Sequence, residues 1–141
     1  MEIVQFHPRH LKGLIVNEYC GFIQPELSDE YGAALAQGGA HSVLVNGKVI
    51  GCGGILQTGT RRWHAWAMFS DESKNHMVGI VRAANSFLDN YEKPRVETCV
   101  RCDFEQGKKF AKLLRFKNET PKGMKNYGDD GHDYYLYARC S

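Results

Sequence analysis

Alternating apolar and polar residues open the chain and predict a short strand over residues 2–6. Pro8 suits the first turn of a helix, which we expect over about residues 8–18. A second helix is predicted over residues 28–37, because Ser28 is a good N-cap and two acidic residues follow it in the first turn. The chain therefore begins with one strand and two helices.

Two β-branched and apolar runs flank the dipeptide Asn46-Gly47. Asn-Gly is the favoured two-residue turn of type I′, because both turn residues take positive φ. Residues 41–45 and 48–56 are thus predicted to pair as a hairpin, and residues 61–70 supply a third antiparallel strand. These three strands form a meander.

Apolar residues recur at spacings of three and four between residues 74 and 91, which places one apolar stripe on a helix. Residues 95–100 then alternate as a strand, residues 104–114 form a second amphipathic helix, and residues 133–139 alternate as a terminal strand. The pattern predicts an α+β fold with the order β-α-α-β-β-β-α-β-α-β.

Length and composition predict a single domain over residues 1–141. The hydrophobic fraction of 43% is typical of globular proteins, and no apolar run is long enough to cross a bilayer. The first residues lack the features of a secretion leader, and the five cysteines form an odd set, so we expect a reducing, cytoplasmic location without disulfides. We expect no metal site at the pair Cys99 and Cys102, because a second such pair is missing.

Positive charge is concentrated in the second half of the chain. The net charge is only +2, yet eleven Lys or Arg lie between Arg82 and Lys125. This bias would attract a phosphate-bearing cofactor or a nucleic acid. Nucleic acid is the less favoured ligand, because no basic and aromatic motif of a known binding module occurs.

The order of the elements, with the Asn-Gly hairpin at its centre, resembles the GNAT (Gcn5-related N-acetyltransferase) superfamily over nearly the whole chain. It is also similar to the small GNAT-like proteins of tailed phages. Residues 49–56 look like the family's third strand, residues 62–70 like the fourth and residues 96–101 like the fifth. The resemblance implies a mixed, mostly antiparallel sheet of six to seven strands with about four helices.

An acetyl-coenzyme A site is implied by the same resemblance. In the family the fourth and fifth strands diverge, and the free backbone groups meet the pantetheine arm. Met68, Phe69 and Ser70 are the corresponding residues here. The pyrophosphate would meet the start of a helix near Ser73, where the backbone amides carry partial positive charge.

The family pattern at this helix start is Gln or Arg, two residues, Gly, one residue, then Gly or Ala. Lys74 and Gly79 take its first and last places, whereas Met77 replaces the central glycine. Asn75 and His76 supply further donors, so these residues complete the expected cofactor site.

A base is required because the acceptor amine must lose a proton before it attacks. By resemblance the fourth strand hosts it, which makes His64 the first candidate, with Glu72 and Glu97 behind it. A lone histidine between two tryptophans is also a common packing residue.

Many family members carry a tyrosine shortly before a Gly-Phe pair, and its hydroxyl acts as the general acid that protonates the departing coenzyme A thiolate. Aligning on Phe116 places Arg115 at that glycine and Ala111 at that tyrosine, so the usual acid is absent. Tyr134, the first tyrosine of the terminal strand, is the candidate replacement.

The resulting hypothesis is an acetyl-CoA-dependent N-acetyltransferase that acts on an amine of a small molecule or protein. The alternative is a catalytically degenerate GNAT-fold phage protein, with a structural role in the virion or a host protein as its partner. The replaced glycine and tyrosine favour the alternative. A nucleic-acid-binding domain ranks third.

Overall fold

The computed structural model describes residues 1–12, 14, 33 and 35–140. Within these ranges seven strands form one mixed sheet in the order β1-β2-β3-β4-β5-β7-β6. The strands are β1 (Glu2–Gln5), β2 (Ala40–Val45), β3 (Lys48–Gly59), β4 (Arg62–Phe69), β5 (Arg95–Arg101), β6 (Lys117–Asn118) and β7 (Tyr134–Cys140). Helix α1 spans Met77–Asp89, helix α2 spans Glu105–Leu113, and two 3-10 helices cover Pro8–Leu11 and Asp71–His76. The predicted α+β class and mostly antiparallel sheet are confirmed.

Contacts divide the chain into two compact units. The first unit comprises Met1–Gln57 and Ala65–Ile80, and the second comprises Thr58–His64 and Val81–Ser141. Strands β3 and β4 and helix α1 each continue along the chain from one unit into the other.

The turn between β2 and β3 is the one that the sequence predicts. Asn46 and Gly47 have φ values of 51° and 78°. Both turn residues therefore adopt the left-handed conformation that a type I′ hairpin requires, which confirms the prediction.

A β-bulge follows this turn in the first unit. Leu44 pairs with Val49 and Val43 with Gly51, which leaves Ile50 as an extra residue in β3. Ile50 is fully buried, so its side chain joins the core while its carbonyl lies outside the regular ladder with β2.

The core of the first unit is a cluster of side chains from its strands, its first 3-10 helix and the helical residues near position 36. Burial of these apolar groups is the main stabilising term for the unit. The members of this core cluster are Phe6, Leu11, Leu14, Leu35, Ala40, Cys52 and Met68.

The second unit is built around β5 and β7, which pair antiparallel over seven residues each. The two-residue strand β6 adds to the other side of β7. Asn85 of α1 donates a hydrogen bond to the carbonyl of Leu113 at the end of α2, at 3.1 Å. This bond ties the two helices together within the unit.

Several element boundaries differ from the predicted ones. The helix predicted over residues 74–91 begins as the 3-10 helix at Asp71 and is α-helical only from Met77. The helix predicted over residues 8–18 is 3-10 where it is described, and most of the helix predicted over residues 28–37 lies outside the described residues. The pattern does not predict β6, because two residues are too few to show alternation.

None of the helices within the described residues combines the length and apolar character that crossing a bilayer requires.

Helix α2 ends at a residue in the left-handed conformation. Arg115 has φ of 65°, and the Phe116 amide donates back to the carbonyl of Ala111 at 3.0 Å. This closure buries Phe116, which is 4% exposed. Glycine is the residue that adopts this conformation without strain, so the backbone at Arg115 suits glycine better than arginine.

We expect Arg115→Gly to be more stable than Arg115→Ala by about 1 kcal/mol, because only glycine avoids the left-handed penalty. Both variants remove the hydrogen bond from Arg115 to Asp89, so their difference isolates the backbone effect. Urea unfolding measures it, and equal free energies of unfolding would contradict the prediction.

Candidate active site

The bulge at Ile50 holds the helix start in the first unit. The amide and the hydroxyl of Ser70 both donate to the Ile50 carbonyl, at 2.9 and 3.1 Å. The Ser70 carbonyl in turn accepts from the amide and hydroxyl of Ser73, at 3.1 and 2.8 Å. Because both serines are buried, these bonds fix where the 3-10 helix Asp71–His76 begins.

An open pocket of about 330 Å³ lies at this helix start. Four of the predicted cofactor residues, Lys74, Asn75, His76 and Gly79, line it together. The lining also includes three residues that the sequence analysis does not assign to cofactor binding, namely Met1, Met77 and Val78.

Lys74 places an exposed cation among the lining residues of the pocket. The Lys74 side chain is 66% exposed and lies 3.9 Å from the Asp71 carboxylate, a distance that leaves the ammonium accessible. At Gly79 an added Cβ would lie 2.5 Å from the Met1 Cε atom, so the missing side chain lets Met1 approach the helix backbone. The pocket therefore combines a positive charge with a close approach to backbone.

The other predicted cofactor residues are Met68 and Phe69, the last two residues of β4, and Ser70, which follows the strand. Met68 is 2% exposed, and the ring of Phe69 packs so closely on β3 that an added Cβ at Gly51 would lie 2.4 Å from it. The amide and hydroxyl of Ser70 are engaged as described above. The assignment of these three residues to the pantetheine arm stays a prediction.

The second unit places His64 beside a buried carboxylate. Strands β4 and β5 pair in parallel at Trp63–Val96 and His64–Glu97. Residues opposite each other in a ladder project from the same face of the sheet, so the imidazole and the Glu97 carboxylate are neighbours. Divergence of the two strands beyond this ladder stays a prediction.

Glu97 is bound by two arginines. One carboxylate oxygen accepts from Nε and Nη2 of Arg62, at 3.0 and 2.7 Å, and the other accepts from Nε of Arg95 at 2.8 Å. The Glu97 residue is only 4% exposed. Buried charges require such partners, and here both carboxylate oxygens have them.

The surroundings act on the pKa values of both groups. Burial would raise the pKa of Glu97, but the hydrogen bonds from Arg62 and Arg95 outweigh it, and the pKa lies below its ordinary value. Burial also lowers the pKa of His64, although the Glu97 carboxylate opposes this effect. At neutral pH the site therefore pairs an ionised carboxylate with a neutral imidazole.

The sequence analysis does not identify two residues of this face, Arg62 and Tyr127, as candidate site residues. Arg62 lies two positions before His64 in β4, so period-two alternation could have placed it on the same face. Tyr127 is 57% exposed, and its hydroxyl lies 3.9 Å from the sulfur of Cys99, two residues after Glu97. Tyr127 belongs to a loop, where no periodic signal exists.

The remaining predicted catalytic residues have other contacts. Glu72 is half exposed and forms an ion pair with Lys48 in the first unit. Tyr134 is 8% exposed, and its hydroxyl donates to Asp130 at 2.8 Å in the second unit. Their catalytic roles stay predictions.

Solved structures of acetyltransferases share this fold. A GNAT-family acetyltransferase from Bacillus anthracis covers 98% of this chain and 93% of its own, with TM-score 0.72 and 12% identity. Ard1 from Thermoplasma volcanium covers 99% of this chain and 96% of its own, with TM-score 0.75 and 16% identity. An aminoglycoside 6′-acetyltransferase type Ii covers 99% of this chain and 97% of its own, with TM-score 0.70 and 18% identity. No protein-family model and no curated protein matches the sequence. At these identities the likeness shows that the chain has the GNAT acetyltransferase fold.

We expect Glu97→Gln to lower the free energy of unfolding by about 2 kcal/mol, because the amide nitrogen would face an arginine donor in a buried site. Glu119→Gln is the matched control. Glu119 also binds Arg95 but its side chain is 39% exposed, so we expect a loss below about 1 kcal/mol. Chemical unfolding of both variants measures the difference, and equal losses would show that burial of Glu97 has no such effect.

Proposed function

We propose that the protein is an acetyl-CoA-dependent N-acetyltransferase that acts on an amine. The observation that carries the proposal is the pairing of His64 with the buried Glu97 on adjacent strands, where burial lowers the pKa of the imidazole. A neutral imidazole can accept the proton that the acceptor ammonium must lose.

The pocket of the first unit fits the phosphate end of acetyl-coenzyme A in its chemistry. Lys74 supplies a cation, Asn75 and His76 supply donors, and the helix start adds partial positive charge. Gly79 leaves the helix backbone without a side chain, but the Met1 side chain occupies that space and Met77 replaces the other glycine of the family pattern. We propose that these residues hold the pyrophosphate.

When bound, acetyl-coenzyme A would supply the acetyl group as a thioester, and coenzyme A would leave as the thiolate. His64 would take the proton from the amine nitrogen. Glu97 would keep the resulting imidazolium favourable through its charge, while Arg62 and Arg95 keep Glu97 ionised.

Acetyl-CoA at a hundred times its dissociation constant should stabilise the folded protein by about 2.7 kcal/mol, which raises the melting temperature by several degrees. Lys74→Gln should weaken binding by about fivefold, since it removes one accessible charge. Lys122→Gln, another exposed lysine, is the matched control and should bind as the unchanged protein does.

Absence of any melting shift with millimolar acetyl-CoA, in a protein shown to be folded, would reject the proposal. Equal effects of the two lysine substitutions would leave catalysis possible but reject the pyrophosphate site at Lys74.

His64→Gln should lower kcat by about a hundredfold or more, because general-base catalysis is lost. In the unchanged protein kcat/KM should fall on the acidic side of the profile, as pH drops through the lowered His64 pKa and the imidazole becomes protonated. This limb should vanish in the variant. Release of the coenzyme A thiol with a panel of amines measures both effects. If the acidic fall in kcat/KM persists in His64→Gln and Glu72→Gln loses most of its kcat, the general base is Glu72 and not His64.

A second candidate is a GNAT-fold module without catalysis, such as a phage protein in the virion or bound to a host protein. Met77 at the glycine position and the buried Ala111 at the tyrosine position favour it. It predicts no stabilisation by acetyl-CoA and co-purification with virions or one stable partner.

A further inference from the structure

We infer that the amine acceptor also carries an anionic group, a carboxylate or a phosphate, which Arg62 binds beside His64. The inference rests on the proposed function, since it names the class of substrate for the same base. It follows from the accessibility of the charged atoms on this face of the second unit.

Arg62 is oriented by Glu97 and yet accessible. Its Nε and Nη2 atoms donate to the Glu97 carboxylate, whereas its Nη1 atom makes no hydrogen bond within the described residues. The Arg62 side chain is 65% exposed. The bound edge fixes the guanidinium plane, and the outer edge presents donors in the geometry that suits a carboxylate or phosphate.

The other charges of the cluster are already satisfied. Arg95 uses Nε for Glu97 and both terminal nitrogens for Glu119, at 2.8, 3.1 and 2.5 Å. The Glu97 side chain is 6% exposed and both of its oxygens are occupied. An ammonium without an attached anion would therefore find no accessible carboxylate of this cluster beside His64, while an anion finds the outer edge of Arg62.

Spacing and shape agree with a small bifunctional ligand. Arg62 and His64 are two residues apart on one strand face, which separates their Cα atoms by about 7 Å. An amine directed at His64 and an anion directed at Arg62 must then lie within a few bonds of each other. Tyr127, exposed and next to Cys99 on the same face, supplies an apolar flank for the connecting atoms.

The test compares three acceptors of similar size with the folded protein and acetyl-CoA. β-Alanine carries a carboxylate, O-phosphoethanolamine carries a phosphate, and β-alaninamide carries a neutral amide in the carboxylate's place. We expect at least one of the two anionic acceptors to exceed the amide in kcat/KM by about tenfold or more, and the better one identifies the anion. Equal rates for all three would overturn the inference.

Variants locate the preference. Arg62→Gln should remove the advantage of the anionic acceptor, and Arg62→Lys should retain part of it, since lysine keeps the charge but loses the fork. Arg61→Gln, at the neighbouring exposed arginine, is the matched control and should keep the full preference. A preference that survives Arg62→Gln in a folded variant would overturn the assignment to Arg62. The acceptor comparison in the unchanged protein decides the inference even if that variant does not fold.

Failure of the proposed function gives a different result. In that case acetyl-CoA produces no melting shift, and none of the amines releases thiol. Turnover with an equal rate for the amide leaves the acetyltransferase in place and rejects only the anionic acceptor.

Discussion

The buried Glu97 carboxylate, held by Arg62 and Arg95, is the interaction on which the chemistry of the second unit depends. A carboxylate that is 4% exposed is tolerable only when both oxygens are satisfied. Satisfying them aligns two strands, because Arg62 comes from β4 and Glu97 from β5. Burial lowers the pKa of the neighbouring His64 although the Glu97 charge opposes this effect, and the outer edge of Arg62 stays exposed to solvent.

In the first unit the Ile50 carbonyl holds the residue before the 3-10 helix in place. The carbonyl of Ile50, the extra residue of the bulge, accepts from both the amide and the hydroxyl of Ser70. The helix start is thereby attached to β3 and not only to the end of β4. The residues that line the pocket, from Lys74 to Gly79, follow directly after Ser73.

Sequence patterns brought together more residues of the pocket than of the face around His64. Lys74, Asn75, His76 and Gly79 are consecutive or nearly so, and a family pattern of fixed spacing brings them into view. The partners of His64 are distant in sequence and meet only through strand pairing. Alternation along β4 would have pointed to Arg62, but nothing local distinguishes Tyr127 from any other loop tyrosine.

The sequence by itself determined the α+β class, the order of the strands other than β6 and the Asn46-Gly47 turn, because periodicity and turn chemistry are local properties of the chain. Its apolar spacing over residues 104–114 also predicted where α2 ends, to within one residue. Only the tertiary structure decided that Ile50 is a bulge, that Glu97 is a shared partner of two arginines, and that Arg62 keeps an accessible edge. These features depend on register and burial, which arise when distant segments pair and exclude water.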